Sequence, residues 1–439
     1  MRKASVLVTL ISPLIAAIVF FAGHGEAQTK AQSAPQKLVV WCHAVHQQVA
    51  DGTRTTTGES ATAEFEARYN AKIEWVPLAF QGMDEKILRE INLPRGAADV
   101  VFVVDNWASI NTLQTLEPLD QMLKKSPVEE AKDIPEGVWR TFALDGSQRA
   151  LAYRSTPQIL HYNKAIFDKR GITGPPMTIE QLGEYARKTT YTREDGAKVY
   201  GLGIKGWEDP IAFVRAFGGE VLTFDFKVKA NQPEAVQAMT LLRDLYKAGA
   251  IPPDYLNISD PDYSNLFSEG LISMTLHGAD YHVRFNNPKQ SKIVGNALFH
   301  YIPAAERTGK KIAPAKIAIW ATAIPRNSAP EKKELAYEFL RFFASKPAQL
   351  KLAVNGNGPV RESIYRDPQY KSAVKYAELA ATVLPHTRPH LPPFGGTAEV
   401  IDMFKTQAAQ AITGKKEVQK AMDEAAAAID TILRREGVK

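Results

Sequence analysis

At 439 residues, 45% of them hydrophobic, the chain is too long for one hydrophobic core and too apolar to be disordered, so at least two lobes are expected. Its net charge of +6 is spread over basic residues that stand three or four places from acids, as in KKELAYEFLR (332–341), a pattern of solvated helix faces that argues against nucleic-acid binding. Cys42 is the only cysteine, which excludes an internal disulfide and leaves stability to apolar burial.

The chain opens with Arg2 and Lys3, runs apolar from Val6 to Phe21, and reaches Gly25 and Ala27 before Gln28. That order predicts a secretory signal peptide over 1–27, with a flexible segment over 28–36. No cysteine follows the apolar run, so an exported soluble protein is expected and a lipoprotein is not. Strand, helix, strand, helix, strand then follow: KLVVW (37–41), GESATAEFEARYN (58–70), AKIEWVPL (71–78), GMDEKILREINL (82–93) and ADVVFVV (98–104). Ala61, Phe65 and Tyr69 share one helix face. The last strand is apolar throughout, as when helices cover both faces of a parallel sheet. Ligands bind beyond the carboxyl ends of such strands. The three exits carry Cys42-His43, Phe80-Gln81 and Asp105-Asn106-Trp107, hydrogen-bonding groups interleaved with aromatics.

Farther on, Thr178 and Gln181 form a capping box for a helix over 175–189, and Ser328 with Glu331 suggests another. Pro233 and Gly249 bracket a helix. Leu335, Phe339 and Phe342 make a core stripe, and residues 415–435 read as a long amphipathic helix. Gly201, Gly203 and Gly206 match the G-x-G-x-x-G spacing of a dinucleotide turn. The preceding REDGAKVY is polar and turn-like, a poor buried first strand, and Trp207 stands where a helix N-terminus should hold phosphate. No nucleotide and no other cofactor is therefore expected. His43, His46 and Cys42, or His277, Asp280 and His282, lack the further spaced ligands of a zinc site, so no metal is expected. Neither G-x-S-x-G nor H-E-x-x-H occurs, and no carboxylate pair stands out, so the signals for an enzyme are thin, while a two-carboxylate glycosidase stays open.

LHYNKAIFDKRGI (160–172) followed by PPMTIEQLGEYARK resembles a segment of the large sugar-type family of extracytoplasmic solute-binding proteins that serve ABC transporters. The order continues through YGLGIKG, FGGEVLTFDFKVKANQPEAVQAMTLLRDLYKAGAIPPD, SNLFSEGLISMTLHGADY, IWATAIPRNSAPEKKELAYEFLRFF and NGNGPVRESIY. The resemblance implies a periplasmic-binding-protein (Venus flytrap) α/β fold: two lobes, each a mainly parallel sheet flanked by helices, joined by hinge strands. It places 37–153 and 303–357 in lobe one and 154–302 and 358–439 in lobe two. The crossings are expected near 153–156, 302–304 and 357–361.

It further implies a monomeric periplasmic receptor that captures a small polar solute, a sugar or oligosaccharide, and passes it to the membrane permease of an ABC importer. Carried over by position, the ligand-binding residues are His43, Gln81, Asp105, Trp207, Gly219, His277, Asp280, Trp320 and Arg361, and Asn106 at the third strand exit, Tyr153 at the first crossing and Lys205 are expected beside them. Where the family has asparagine, glycine and an aromatic, this chain has His277-Gly278-Ala279-Asp280, which points toward a smaller or partly cationic solute. Lys205 and Arg361 point instead toward an acid. An anionic, amino-sugar, opine or polyol-like solute is thus the alternative, and a secreted carbohydrate-active hydrolase the rival of another class.

Overall fold

Three parallel strands, β1 (Gln36–His43), β2 (Ala71–Leu78) and β3 (Val100–Val104), order the first part of the chain, with β1 between the other two. The structure is a computed structural model that describes residues 34–438 apart from positions 56, 80, 81, 207 and 393. The expected signal peptide lies outside the described residues. All five residues of β3 are buried, because helices cover both faces of its sheet. Between β1 and β2 the helix Ala61–Tyr69 starts where the Ser60 hydroxyl accepts the Ala63 N–H, and ends on Asn70 in the left-handed region. It buries Phe65 against Phe339 and Phe342 of the helix Lys333–Ala344, the apolar stripe read from the sequence. The expected capping box for that helix does not form. A 3-10 turn, Pro330–Lys332, precedes it, and Ser328 instead directs its hydroxyl to Asp99 at 3.4 Å. At the helix Ile179–Lys188, Thr178 does accept the Gln181 N–H, while the Gln181 side chain reaches the N–H of Met177.

One long strand, β4 (Ala150–Asn163), serves two sheets, and all fourteen of its residues are buried. Its first half pairs antiparallel with β8 (Ala315–Ala323), which in turn pairs antiparallel with β3. Its second half pairs antiparallel with β6 (Ile272–Gly278) on one side and β7 (Ala297–His300) on the other, and β6 pairs parallel with β5 (Lys198–Gly203). The strand orders are therefore β2-β1-β3-β8-β4 and β7-β4-β6-β5.

Each sheet has its own hydrophobic core. The smaller core draws on residues between Leu38 and Tyr153, then between Ile317 and Leu352, and on Val360. The larger draws on residues between Ile159 and Ala315, on Ala353, and on residues between Ile364 and Leu433. The chain first passes between them along β4, after Tyr153. The second passage lies at Ala315–Ile317, later than the expected 302–304. Residues 302–313 stay with the larger core because they fold back on themselves: the Ala313 N–H donates to the Ile302 carbonyl at 2.9 Å and the Ala304 N–H to Lys311 at 3.1 Å. The third passage runs beside β4. Ser155 N–H donates to the Gly358 carbonyl at 3.0 Å, and a Cβ on Gly358 would stand 2.0 Å from the Ser155 oxygen. Only glycine permits that approach.

The glycine motif of 201–206 has the same kind of explanation. Gly201 and Gly203 lie inside β5, not in the turn after it, and a Cβ on Gly201 would sit 1.7 Å from the Ala186 carbonyl oxygen. The helix Ile179–Lys188 fills the space a phosphate would need.

Candidate functional site

Where the two sheets share β4, a cleft of 570 Å³ opens between the cores, within the range of small-molecule sites. Its wall on the smaller-lobe side is built at the carboxyl ends of β1 and β2, from His43 to Val45 and Pro77 to Ala79, and from Ala318 and Trp320 of β8. Trp320 is held on several sides. Its ring lies nearly parallel to His43, at 16° and 6.3 Å between centroids, and meets His46 at 4.5 Å and Trp107 at 5.6 Å edge-on. An indole fixed in this way offers a rigid apolar surface to a ring or carbon chain.

The floor is polar. Arg154, Thr156 and Gln158 are alternate residues of β4, so all three side chains leave on the cleft face. Arg154 donates to Thr156 Oγ1 at 3.1 Å and to Asp280 Oδ2 at 2.6 Å. Arg54, from the loop after the helix Ala44–Ala50, donates to the same oxygen at 2.6 Å and to the Gly356 carbonyl at 2.8 Å. Burial acts against the Asp280 charge, but the two guanidinium groups outweigh it and hold its carboxyl down at about 2. Gln158 donates its amide to Asp209 at 2.7 Å, which leaves its carbonyl oxygen as an acceptor. Lys205 meets Glu208 and stands 3.7 Å from Asp260, while Lys316 reaches Glu208 at 2.6 Å. Burial works against the Lys205 charge, yet these carboxylates raise its pKa. Asp209, behind them, is pushed up to about 7 chiefly by burial. Burial likewise lowers His43 to about 4 and His277 well below the ordinary range, so both imidazoles are neutral at pH 7. Tyr281 stacks on His277 at 4.5 Å and donates its hydroxyl to Asp260 at 2.6 Å.

Of the residues singled out in the sequence, His43, Lys205, His277 and Trp320 line this cleft. Gln81 and Trp207 lie outside the described residues. The others stand elsewhere. Asp105 and Asn106 start the 3-10 turn Asp105–Trp107, behind the aromatic wall, where burial pushes the Asp105 carboxyl up to about 6. Tyr153 is in the smaller core, its hydroxyl donating to the His46 carbonyl at 3.2 Å. Gly219 packs against Glu234, whose Cβ would be 2.5 Å from an added Cβ. Asp280 is wholly buried beneath the floor, as the counter-ion of Arg54 and Arg154.

Arg361, also wholly buried, donates to the carbonyls of Ala344, Glu130 and Glu129 at 2.7–2.9 Å and faces Asp133 at 3.6 Å. It is a clamp on the backbone after the third passage. Arg361→Met is expected to lower the urea midpoint by the equivalent of about 1–3 kcal/mol, the cost of buried carbonyls left without donors. Solute affinity should be unchanged. A calorimetric affinity that drops with intact stability would return Arg361 to the ligand.

Sequence reasoning missed Arg154, Thr156, Gln158, Glu208, Asp260, Tyr281, Arg284 and Lys316. A signal for the first three was present in the sequence: the polar residues Arg154, Ser155, Thr156 and Gln158 interrupt the apolar residues on either side of RSTPQ. Among the described residues, no group of three His, Cys, Asp or Glu side chains could hold a metal ion, and no helix is long and apolar enough to cross a membrane.

The sequence profile of the bacterial extracellular solute-binding proteins matches residues 51–350. A putative binding protein of Brucella abortus (strain 2308) is 26% identical over 300 residues, covering 66% of this chain and 69% of that one. Among solved structures, maltose-bound MalE3 of T. maritima superposes with a TM-score of 0.79 at 22% identity, over 90% of this chain and 100% of that one. An ABC transporter solute-binding protein of Agrobacterium radiobacter K84, in complex with ribitol, gives 0.76 at 20% identity, over 90% and 98%. The fold is thus the two-lobed one anticipated from the sequence.

Proposed function

The chain belongs to the bacterial extracellular solute-binding protein family, and we propose that it is the receptor of an ABC importer for a small polyhydroxylated solute of the sugar and polyol class. The observation that carries this reading is the cleft itself. A rigid indole faces a floor of hydrogen-bonding side chains, the combination that packs on C–H faces and pairs with hydroxyls. The maltose and ribitol bound by the two similar structures are solutes of that chemistry. The apolar run behind Arg2 and Lys3 supports export to the periplasm, and delivery would be to the importer's membrane permease. The carboxylates that line the cleft, Glu208 and Asp260, are engaged by Lys205, Lys316 and Tyr281, which supports binding without hydrolysis.

A thermal-shift panel of sugars, polyols and their acid derivatives tests the reading. A cognate solute at a hundred times its Kd should add about 2.7 kcal/mol of stability. Scattering at saturation should give a smaller radius of gyration than the free protein, as two hinged lobes close on the solute. Recovery of the solute as a cleaved product would replace the receptor with an enzyme.

A further inference from the structure

We propose that the solute carries one acidic group, a carboxylate or a phosphate monoester, beside its hydroxyls, and that Arg284 is the residue that selects for it; this rests on the receptor reading above. The charges around the cleft do not cancel. Arg154, Lys205, Arg284 and Lys316 line it, against only Glu208 and Asp260. Glu208 is shared between Lys205 and Lys316, and Asp260 is held by the Tyr281 hydroxyl with Lys205 at 3.7 Å. Below the floor, Asp280 is a single carboxylate between two guanidinium groups, so the Arg54–Asp280–Arg154 cluster keeps one positive charge. Two further carboxyls stand behind the lining residues: Asp209, bonded to Gln158 and to the Lys205 backbone N–H, and Asp105, which faces Lys316, so the surplus that remains in the cleft is centred on Arg284.

Arg284 is the clearest surplus. It projects from the short helix Tyr281–Phe285 into the cleft wall, half-buried, and its only bond among the described residues is to the neutral amide oxygen of Asn265, at 2.7 Å. Its Nε is buried without a hydrogen-bond partner. A guanidinium with an unmatched N–H is suited to a planar or tetrahedral oxyanion, to which it donates in pairs. The low-dielectric walls concentrate the positive field on the cleft.

The test is calorimetry with matched solutes: glucose, glucuronate and glucose 6-phosphate, and mannitol, gluconate and mannitol 1-phosphate. The acidic member of a set should bind at least about tenfold more tightly than its neutral parent, a difference of about 1.4 kcal/mol. The margin should narrow as salt is raised, and Arg284→Gln should shrink it toward unity while Arg284→Lys keeps part of it. Comparison of the two acids in each set tells carboxylate from phosphate. A neutral parent that binds as well as its acids, or a margin unaffected by Arg284→Gln, overturns the selectivity and leaves the receptor intact. No binding by any member overturns the sugar and polyol reading, and the selectivity with it.

Discussion

Asp280→Asn is expected to lower the unfolding free energy by about 3–5 kcal/mol, because it leaves two buried guanidinium groups with no carboxylate between them. The geometry sets the size of the effect. Asp280 is completely buried and its Oδ2 accepts from both Arg54 and Arg154 at 2.6 Å, with both arginine side chains 9% exposed. An asparagine keeps the shape and one acceptor but removes the charge that offsets two desolvated cations. Urea unfolding measures the loss. A second variant, Arg54→Met with Asp280 intact, should cost less, since Arg154 still balances the carboxylate. If Asp280→Asn unfolds at the parental urea concentration, the cluster is not holding the two lobes together.

Acidification from pH 7 to pH 5 should also destabilise the protein strongly. Burial lowers His46, His161, His277 and His390 well below their ordinary range, and lowers His282 to about 4. Once the chain unfolds these imidazoles return to about 6.5, so below that pH the unfolded state binds more protons and gains stability at the folded state's expense. For His282 alone, falling from an ordinary 6.5 to about 4 corresponds to about 2 kcal/mol at pH 5. Asp105 and Asp209 act in the opposite sense. Their raised carboxyls, at about 6 and about 7, take up protons in the folded state over the same window and so favour it. With His43, also lowered to about 4, six imidazoles outweigh two carboxyls, and the urea midpoint should fall between pH 7 and pH 5. A midpoint that holds or rises would mean the imidazoles are charged in the fold. Asp280, held down at about 2, contributes its stability above its ordinary pKa and loses it only as the pH falls toward 2, outside this window.

The elements with strong local signals were legible in the sequence. β2 begins at Ala71 and ends at Leu78, as its alternating AKIEWVPL suggests, and the helix Pro233–Lys247 fits between the proline and glycine that bracket it. β4 was not legible at its full length, because each half answers to a different sheet and no single periodicity spans both. The site was legible where a strand end supplied it, as at His43, or where an aromatic stood at a lobe junction, as at Trp320. Among charged residues, only Lys205 of those singled out in the sequence lines the cleft. Arg154 and Arg361 are both arginines near a passage between the lobes, and both are buried. The first meets the cleft and a carboxylate, while the second meets the carbonyl at the end of the helix Lys333–Ala344 and two carbonyls of a loop more than two hundred residues away. Sequence position alone does not distinguish these partners. The glycine spacing at 201–206 is ambiguous taken alone for a related reason, since a glycine kept for helix contact and one kept for phosphate contact are the same letter; the polar REDGAKVY before it is what argues against phosphate.

The shared strand β4 and the three passages have a consequence for how such a protein can be divided. Neither core is a contiguous stretch of chain: the smaller is assembled from residues before β4, from β8 and the helices that follow, and from Val360, while the larger takes what lies between and after. No single cut yields a lobe that owns all its strands, and assigning β4 to one side removes either the edge strand of the first sheet or an interior strand of the second. A fragment ending anywhere between β4 and β8 would expose β3 without its antiparallel neighbour. Exchange of a whole lobe with a relative would therefore need three junctions, one at each passage, and a single crossover would join halves of two unrelated cores.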